Sequence, residues 1–393
     1  MINKKILVAG GTCIDIIPDL SSVPEDKFLD LLQPGKLIDA KSFSVSTGGA
    51  VANTGLTLAR LGVPVRMIAK VGDDPFGKII RDLLAREVPY ANDDLVIDSN
   101  SSTSCSVILN PPGFDRTFIH SNGANERFYA SDIPLKTLQW ADLLQFGYPS
   151  MIESVYRAEG AELVLILRKA RRAGLSTSVD FTLPDPTTPA GEVDWPVVLA
   201  NALPLVDVFV PSVEELTFML DRETYDQMNT DPTASFIELV TPELCDELSE
   251  QILSHGVKIA LIKLGERGLY LRTAAPDAWK KVGRGLDGLS AEWHSRELWA
   301  PAFSVEVHTT NGAGDAAVAG FLSSLIQGVD PITALQMSAA VGAFRVEGRG
   351  QAGDLPEWEK VHERVKAGWQ TLPLDLPSDD WEKDPTNSIW HRK

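Results

Sequence analysis

The segment Thr309-Thr310-Asn311-Gly312-Ala313-Gly314-Asp315-Ala316 joins small residues to one carboxylate. It lies between a strand-like run at 303–307 and a helical run at 316–326. A small-residue turn that opens a helix leaves backbone N–H groups unpaired, and the helix dipole adds partial positive charge. That combination makes an anion site. Gly312 and Gly314 carry no side chain to keep an anion off the backbone. Asp315 then stands beside the place an anion would take. A first-turn carboxylate can be there for helix stability alone. Next to an anion it also has a chemical use: taking the proton of a hydroxyl that attacks it, which is general-base catalysis of phosphoryl transfer.

Two other segments set polar groups beside glycines. Ser46-Thr47-Gly48-Gly49-Ala50-Val51-Ala52-Asn53 places paired glycines before a helix with Asn53 one turn in. Paired glycines permit a hinge and a close backbone approach. The Asn53 amide can both donate to and accept from a hydroxyl, although an ordinary helix start capped by Thr47 has the same pattern. Gly10-Gly11-Thr12-Cys13-Ile14-Asp15 sets a carboxylate just past an apolar strand. Parallel sheets bind ligands at the carboxyl ends of their strands, where Asp15 could hold polyol hydroxyls. A full GxGxxG dinucleotide fingerprint is absent from it.

The elements that must carry these groups can be read from the hydrophobic pattern. Residues 5–10, 63–71, 142–148, 175–180, 206–210 and 258–263 read as strands, with 268–272 pairing after the last. Residues 50–61, 76–86, 159–173, 214–220 and 242–255 read as helices, several stopped by glycine. Apolar strands alternating with amphipathic helices predict an α/β fold with a mostly parallel sheet covered on both faces. Stretches 36–48 and 103–121 break that rhythm. They are rich in Ser, Thr and β-branched residues and predict a small projecting sheet, a lid formed by segments near 14–20, 36–48 and 103–121. Residues 274–298 read as an insertion and 371–393 as a C-terminal tail to a domain spanning 1–370. Of nine tryptophans, seven lie at or after Trp279, so these two segments are expected to pack on something.

Composition narrows the partners. The 393 residues carry 36 Lys+Arg against 54 Asp+Glu, a net charge of −18. So acidic a chain lacks the basic footprint of a nucleic-acid binder and is repelled by anionic membranes. Cys13, Cys105 and Cys245 form neither a disulfide framework nor a CxxC metal pair. The apolar run after Lys4 and Lys5 is too short for a signal-peptide core. A cytoplasmic protein is expected.

In their order along the chain, GGAVAN at 48–53 and TNGAGDA at 310–316 resemble the two signatures of the ribokinase-like (PfkB) carbohydrate kinase family. VGDDPFG (71–77), PSVEEL (211–216) and KLGERGLYL (263–271) are similar to family segments between them. The resemblance covers roughly residues 3 to 350. It implies a three-layer α/β/α sandwich with a small β-sheet lid, and an enzyme using ATP and Mg²⁺. Carried over residue by residue, it implies that Asp315 is the base and that Gly312, Ala313 and Gly314 form the anion hole. Asp15, Gly48, Gly49 and Asn53 would hold the sugar. Lys263, Gly265, Gly268 and Asn311 would lie by the nucleotide. Glu215 matches the glutamate of the family's Asn-x-x-Glu motif, which organises magnesium. Arg116 stands where the family often has a charged residue that reaches substrate; a solvated lid residue is the other reading. A homodimer through the lid is implied as well.

The chain departs from the family pattern in places. Ser212 replaces the asparagine of Asn-x-x-Glu, and Glu214 becomes the metal candidate if the register moves by one. Thr309 replaces an aspartate in a neighbourhood that binds a monovalent cation in many relatives, so potassium is one possible cofactor. Asn311 occurs in some nucleoside kinases of the family. His308 reads as a strand residue. The expected function is ATP-dependent phosphorylation of a hydroxyl on a small sugar or sugar acid. The alternatives are a nucleoside kinase of the same family and a catalytically weak regulatory protein that binds sugar and nucleotide.

Overall fold

The computed structural model describes residues 4–24, 28–113, 117–231, 235–348, 355–376 and 380–393. Strand β1 (Ile6–Gly10) is buried along its whole length, which suits an uninterrupted apolar run in a covered parallel sheet. The chain then leaves the core through β2 (Cys13–Pro18), the short helix α1 (Phe28–Leu31) and β3 (Phe43–Gly48). Helix α2 (Gly49–Arg60) brings it back to β4 (Val65–Ile68) and β5 (Lys70–Gly72). Helix α3 (Pro75–Glu87) starts at Asp74, whose carboxylate accepts from the Gly77 N–H at 2.8 Å. Strands β6 (Val96–Asp98), β7 (Cys105–Leu109) and β8 (Thr117–Ser121) complete the irregular part.

Beyond it the chain alternates. Helix α4 (Leu135–Trp140) leads to β9 (Leu143–Gly147), α5 (Glu153–Arg172), β10 (Ser176–Asp180), α6 (Trp195–Ala202) and β11 (Val208–Phe209). Helices α7 (Val213–Leu220), α8 (Arg222–Met228) and α9 (Pro242–Ser254) precede β12 (Ile259–Lys263). Strands β13 (Leu269–Thr273) and β14 (Glu297–Ala300) run back and forth beside it. Helices α10 (Ala313–Gln327), α11 (Pro331–Glu347) and α12 (Trp358–Lys366) follow, then β15 (Trp381–Lys383) and β16 (Trp390–Arg392).

One large sheet has the order β15-β16-β14-β13-β12-β11-β10-β9-β1-β4. Its pairs are parallel from β4 to β12 and antiparallel beyond. Side chains of one strand serve two cores because they alternate across the sheet. Leu7 and Ala9 join Phe146, Trp195 and Phe209 on one face, while Ile6 and Val8 join Val208, Phe321 and Val341 on the other. The four-stranded small sheet, β3-β2-β7-β8, stands apart from the large one. Its expected segments correspond to β2, β3, β7 and β8.

Two expectations change. The run at 303–307 is not a strand; it makes one isolated bridge, between Phe303 and Thr371, and β14 is the strand of that region. Both sides of β14 are taken, by β13 and β16, so the run cannot pair with it. Helix α5 begins before residue 159 but breaks at 157–160, where Ala158, Glu159 and Gly160 have φ of 49°, 56° and 76°. The described residues of the expected C-terminal tail, 371–393, pack on the domain: β15 and β16 extend the large sheet. Trp381 packs on Tyr270 and Trp299, each with ring centroids 6.1 Å away. The 274–298 stretch is anchored likewise. Trp293 is buried and donates to the Val329 carbonyl, and Arg284 donates to the carbonyls of Ala141 and Ala173.

Candidate active site

The parallel strands deliver their next residues to one end of the sheet, as open α/β folds do. Past β1 come Gly11 to Asp15, past β9 Tyr148, and past β11 Ser212 and Glu215. Asp180 ends β10 and Lys263 ends β12. Over these strand ends lie the starts of α2 and α10.

Asp315 is in the first turn of α10 and is 2 % exposed. Three donors hold its carboxylate. Asn53 Nδ2 and the Tyr148 hydroxyl donate to Oδ2 at 2.9 and 2.8 Å, and the Thr54 hydroxyl reaches Oδ1 at 3.3 Å. A carboxylate can accept about four hydrogen bonds, so Oδ1 keeps room for a substrate hydroxyl. Burial, then the charges of Asp315 and Asp180, push the Tyr148 phenol well above its usual range. It therefore stays a donor. Tyr148 has φ 61° and ψ 51°, a left-handed conformation that costs a non-glycine residue about 1–3 kcal/mol.

The turn before α10 leaves backbone donors that could take an anion. Gly312 has φ 73°, open to glycine at no steric cost. Among the described residues, the N–H groups of Gly312, Gly314 and Asp315 face no protein acceptor. The Ala313 N–H closes the turn onto the Thr310 carbonyl at 3.3 Å. Of the residues expected to form the hole, 312–314, Ala313 thus spends its N–H on the turn itself. Thr309 also braces it: its hydroxyl accepts from the Asn311 N–H at 3.2 Å.

Cationic charge lies against this turn. A Cβ placed on Gly314 would stand 3.6 Å from Lys263 Nζ. Lys263 is paired with Asp180 at 2.5 Å. Burial lowers the Lys263 ammonium, but Asp180, Glu215 and Asp315 outweigh it and raise the group above its usual range. Burial raises the Asp180 carboxyl in spite of Lys263, and its Oδ2 has no hydrogen-bond partner among the described residues. Glu215 is raised by burial too. It closes a capping box with Ser212, accepting from the Ser212 N–H at 2.8 Å. Ser212, standing where the resemblance has asparagine, serves as the N-cap of α7. Glu214 precedes Glu215 and is only partly buried.

The second half of the site lies in the small sheet. Asp15 on β2 is buried and accepts from the Cys13 thiol at 3.3 Å. Burial raises its carboxyl above the usual range, more than Cys13, Ser106 and the charge of Arg345 lower it. Ser106 contacts His120 Nδ1 at 2.8 Å. A Cβ on Gly48 would fall 2.3 Å from Asp15 Oδ2, so only glycine leaves the carboxylate its place. Gly49, the next residue, has φ 82°.

The structure thus gathers Asp315, Gly312, Ala313, Gly314, Asn311, Asn53, Lys263 and Glu215 around the α10 turn. Asp15, Gly48 and Gly49 lie across the junction of β2, β3 and α2. Gly265 and Gly268 lie in the β12–β13 turn, one step from Lys263. Arg116 lies outside the described residues. His308 is half-exposed, with its N–H on the Val346 carbonyl. Tyr148, Thr54 and Asp180 are members that the motifs do not announce. Their only signal is position at the end of a strand or beside Asn53.

The chain thus sets a glycine-bearing helix start and a buried carboxylate at the strand ends of a covered, mostly parallel sheet. Residues 3–358 match the pfkB family of carbohydrate kinases, and the chain belongs to that family. It is 26% identical over 370 residues to the probable chloroplastic fructokinase-6 of Arabidopsis thaliana, covering 92% of this chain and 82% of that one. It is 25% identical over 339 residues to the 2-dehydro-3-deoxygluconokinase of Bacillus subtilis (strain 168), covering 83% and 89%. Among solved structures it resembles Arabidopsis thaliana ribokinase complexed with ribose and ATP. There the TM-score is 0.63 at 20% identity, over 92% of this chain and 98% of that one. Among the described residues no helix is long and apolar enough to cross a membrane.

Proposed function

We propose that the protein transfers the γ-phosphoryl group of ATP to a hydroxyl of a small sugar or sugar acid. The observation that carries this reading is Asp315, buried at the start of α10 beside three N–H donors that face no protein acceptor among the described residues. The acceptor hydroxyl gives its proton to Asp315 as its oxygen attacks phosphorus in line. The N–H groups of Gly312, Gly314 and Asp315, with Lys263, take up charge on the transferring group. Asp15 and Asn53 hold the acceptor's other hydroxyls. The fructokinase and sugar-acid kinase relatives support this substrate class.

The donor set fits a nucleotide phosphate with a divalent cation. Asp180 Oδ2 is buried without a hydrogen-bond partner among the described residues, and the charge of Glu215 acts on the same carboxyl. These two carboxylates would face Mg²⁺, which typically keeps several waters and phosphate oxygens as ligands. When bound, magnesium neutralises phosphate charge. The four-stranded sheet, which carries Asp15 and ends at Gly48, would close over the acceptor and keep water from the phosphoryl group. Its strands expose Phe43, Val45, Phe118 and Ile119, where a second copy would dock to form a dimer.

The test is ADP release with Mg-ATP over a panel of sugars, sugar acids and nucleosides, with and without potassium. One sugar or sugar acid should outpace the rest. Stoichiometric binding of sugar and nucleotide with no ADP release across the panel would instead make the chain a binding protein. With the authentic acceptor, Asp315→Asn should keep nucleotide binding and lose turnover by about 10²–10⁴-fold.

A further inference from the structure

We infer that Arg345, a residue no motif singles out, is a positioning residue for the anion turn. The inference rests on the phosphoryl-transfer reading above. Arg345 lies in the last turn of α11 and is 6 % exposed. Its Nε donates to the Asn311 carbonyl at 3.0 Å. Its guanidinium nitrogens Nη2 and Nε stand 3.1 and 3.3 Å from where a Cβ on Gly312 would be, with Asn53 Nδ2 at 3.4 Å from the same point. The charge reaches across to Asp15, whose carboxyl it lowers.

The packing of two helices brings it there. Ser338 on α11 donates to the Ala317 carbonyl of α10 at 2.8 Å. A Cβ on Gly342 would already touch the Ala313 carbonyl and Ala317 at 3.4 Å. Small residues therefore let α11 lie close along the start of α10, and Arg345, about one turn beyond Gly342, reaches the turn itself.

Two consequences follow from the contact. A peptide unit is planar and trans, so a guanidinium that holds the Asn311 carbonyl also fixes the direction of the Gly312 N–H in the same plane. The guanidinium does not lose its proton in proteins. It is a constant positive charge against the turn, which helps explain how a chain of net charge −18 can seat a phosphate. Lysine would supply the charge without the planar fork.

The full chain with Arg345→Lys, Arg345→Met and Arg345→Ala tests this with two readouts. The first is inorganic phosphate affinity by calorimetry, which needs no sugar. The second is kcat and KM with the authentic acceptor. Arg345→Met should weaken phosphate binding about tenfold and lower kcat about 10–10²-fold, less than the full loss of one anion-hole donor, with the sugar KM little changed. Arg345→Lys should fall between it and the parent. Guanidinium ion, and not sodium at equal concentration, should restore part of both losses to Arg345→Ala.

Parental phosphate affinity in Arg345→Met overturns the inference, whatever the acceptor proves to be. So does a loss in Arg345→Ala that guanidinium leaves unchanged while the variant unfolds at the parental temperature. If the Met and Ala variants do not fold, Arg345→Lys decides: parental phosphate affinity and kcat there overturn the clamp. Absence of turnover in the parent, with phosphate binding still dependent on Arg345, condemns the kinase reading and not this one.

Discussion

Three donors hold one carboxylate in this site, and they come from distant parts of the chain. Tyr148 is 167 residues from Asp315 and Asn53 is 262. Tyr148 accepts a left-handed backbone, and its hydroxyl lies 2.8 Å from Asp315 Oδ2. Strain of that kind persists only where the surroundings over-determine it. Tyr148→Phe keeps the ring and loses the hydrogen bond. It should reduce kcat by about tenfold through looser placement of the base, with the ATP KM unchanged in steady-state kinetics. Equal kcat in the variant would show that Asn53 and Thr54 suffice. Asp315, Asn53 and Asp15 were legible in the sequence because each lies in a short glycine-bearing motif beside an element boundary. Tyr148 and Asp180 were not, since what marks them is the strand order, which places β9 next to β1 and β10 next to β9, with their carboxyl ends toward the start of α10.

Element starts and junctions carry the next level of control. Gly48 ends β3 directly before α2, and its missing side chain leaves the space that Asp15 fills. Gly48→Ala should displace Asp15 and lower kcat/KM for the acceptor by about 10²-fold, leaving nucleotide affinity as it was; an unchanged acceptor KM would remove Asp15 from the sugar site. Asp74 does comparable work at α3. It caps the helix through Gly77 and also accepts from the Thr103 N–H and hydroxyl, both at 2.7 Å, which anchors the approach to β7. Burial raises its carboxyl, but these donors outweigh it and hold it below its usual range. A carboxyl depressed in the folded state stabilises above its unfolded pKa and loses that contribution as pH falls through the folded one. Asp74→Ala should therefore cost about 1 kcal/mol near neutrality, in urea titrations. The gap to the parent should narrow below about pH 4. Strands β9 to β12 and helices α7 and α9 were legible because period and length agree there, whereas the short helices α6 and α8 were not read. Residues 303–307 misled because alternation reports a strand's faces and says nothing of whether a neighbour is free to pair.

For the whole molecule, residues 381–392 decide how the sheet ends. Tyr270, Trp299 and Trp381 meet edge to face at the antiparallel side, and Arg392 donates to Glu297 at 2.8 Å. Trp381→Ala should cost about 3–5 kcal/mol, read from the urea midpoint, while kcat stays parental because the site lies at the strand ends of the parallel half. A drop in kcat at full folding would couple the two halves. Tryptophan content pointed to packing by this segment, but not to sheet extension, because three-residue strands are too short to show a period. At the other side of the sheet, β1 lies between β4 and β9, and Ile6 is in register with Leu143. Ribosomes add roughly 5–20 residues per second. About 137 residues separate those partners, so β1 waits on the order of ten seconds during synthesis before its second neighbour exists. Through that interval one edge of Ile6–Gly10 has no strand to pair with, and the nascent chain depends on β4, or on a chaperone, to shield it.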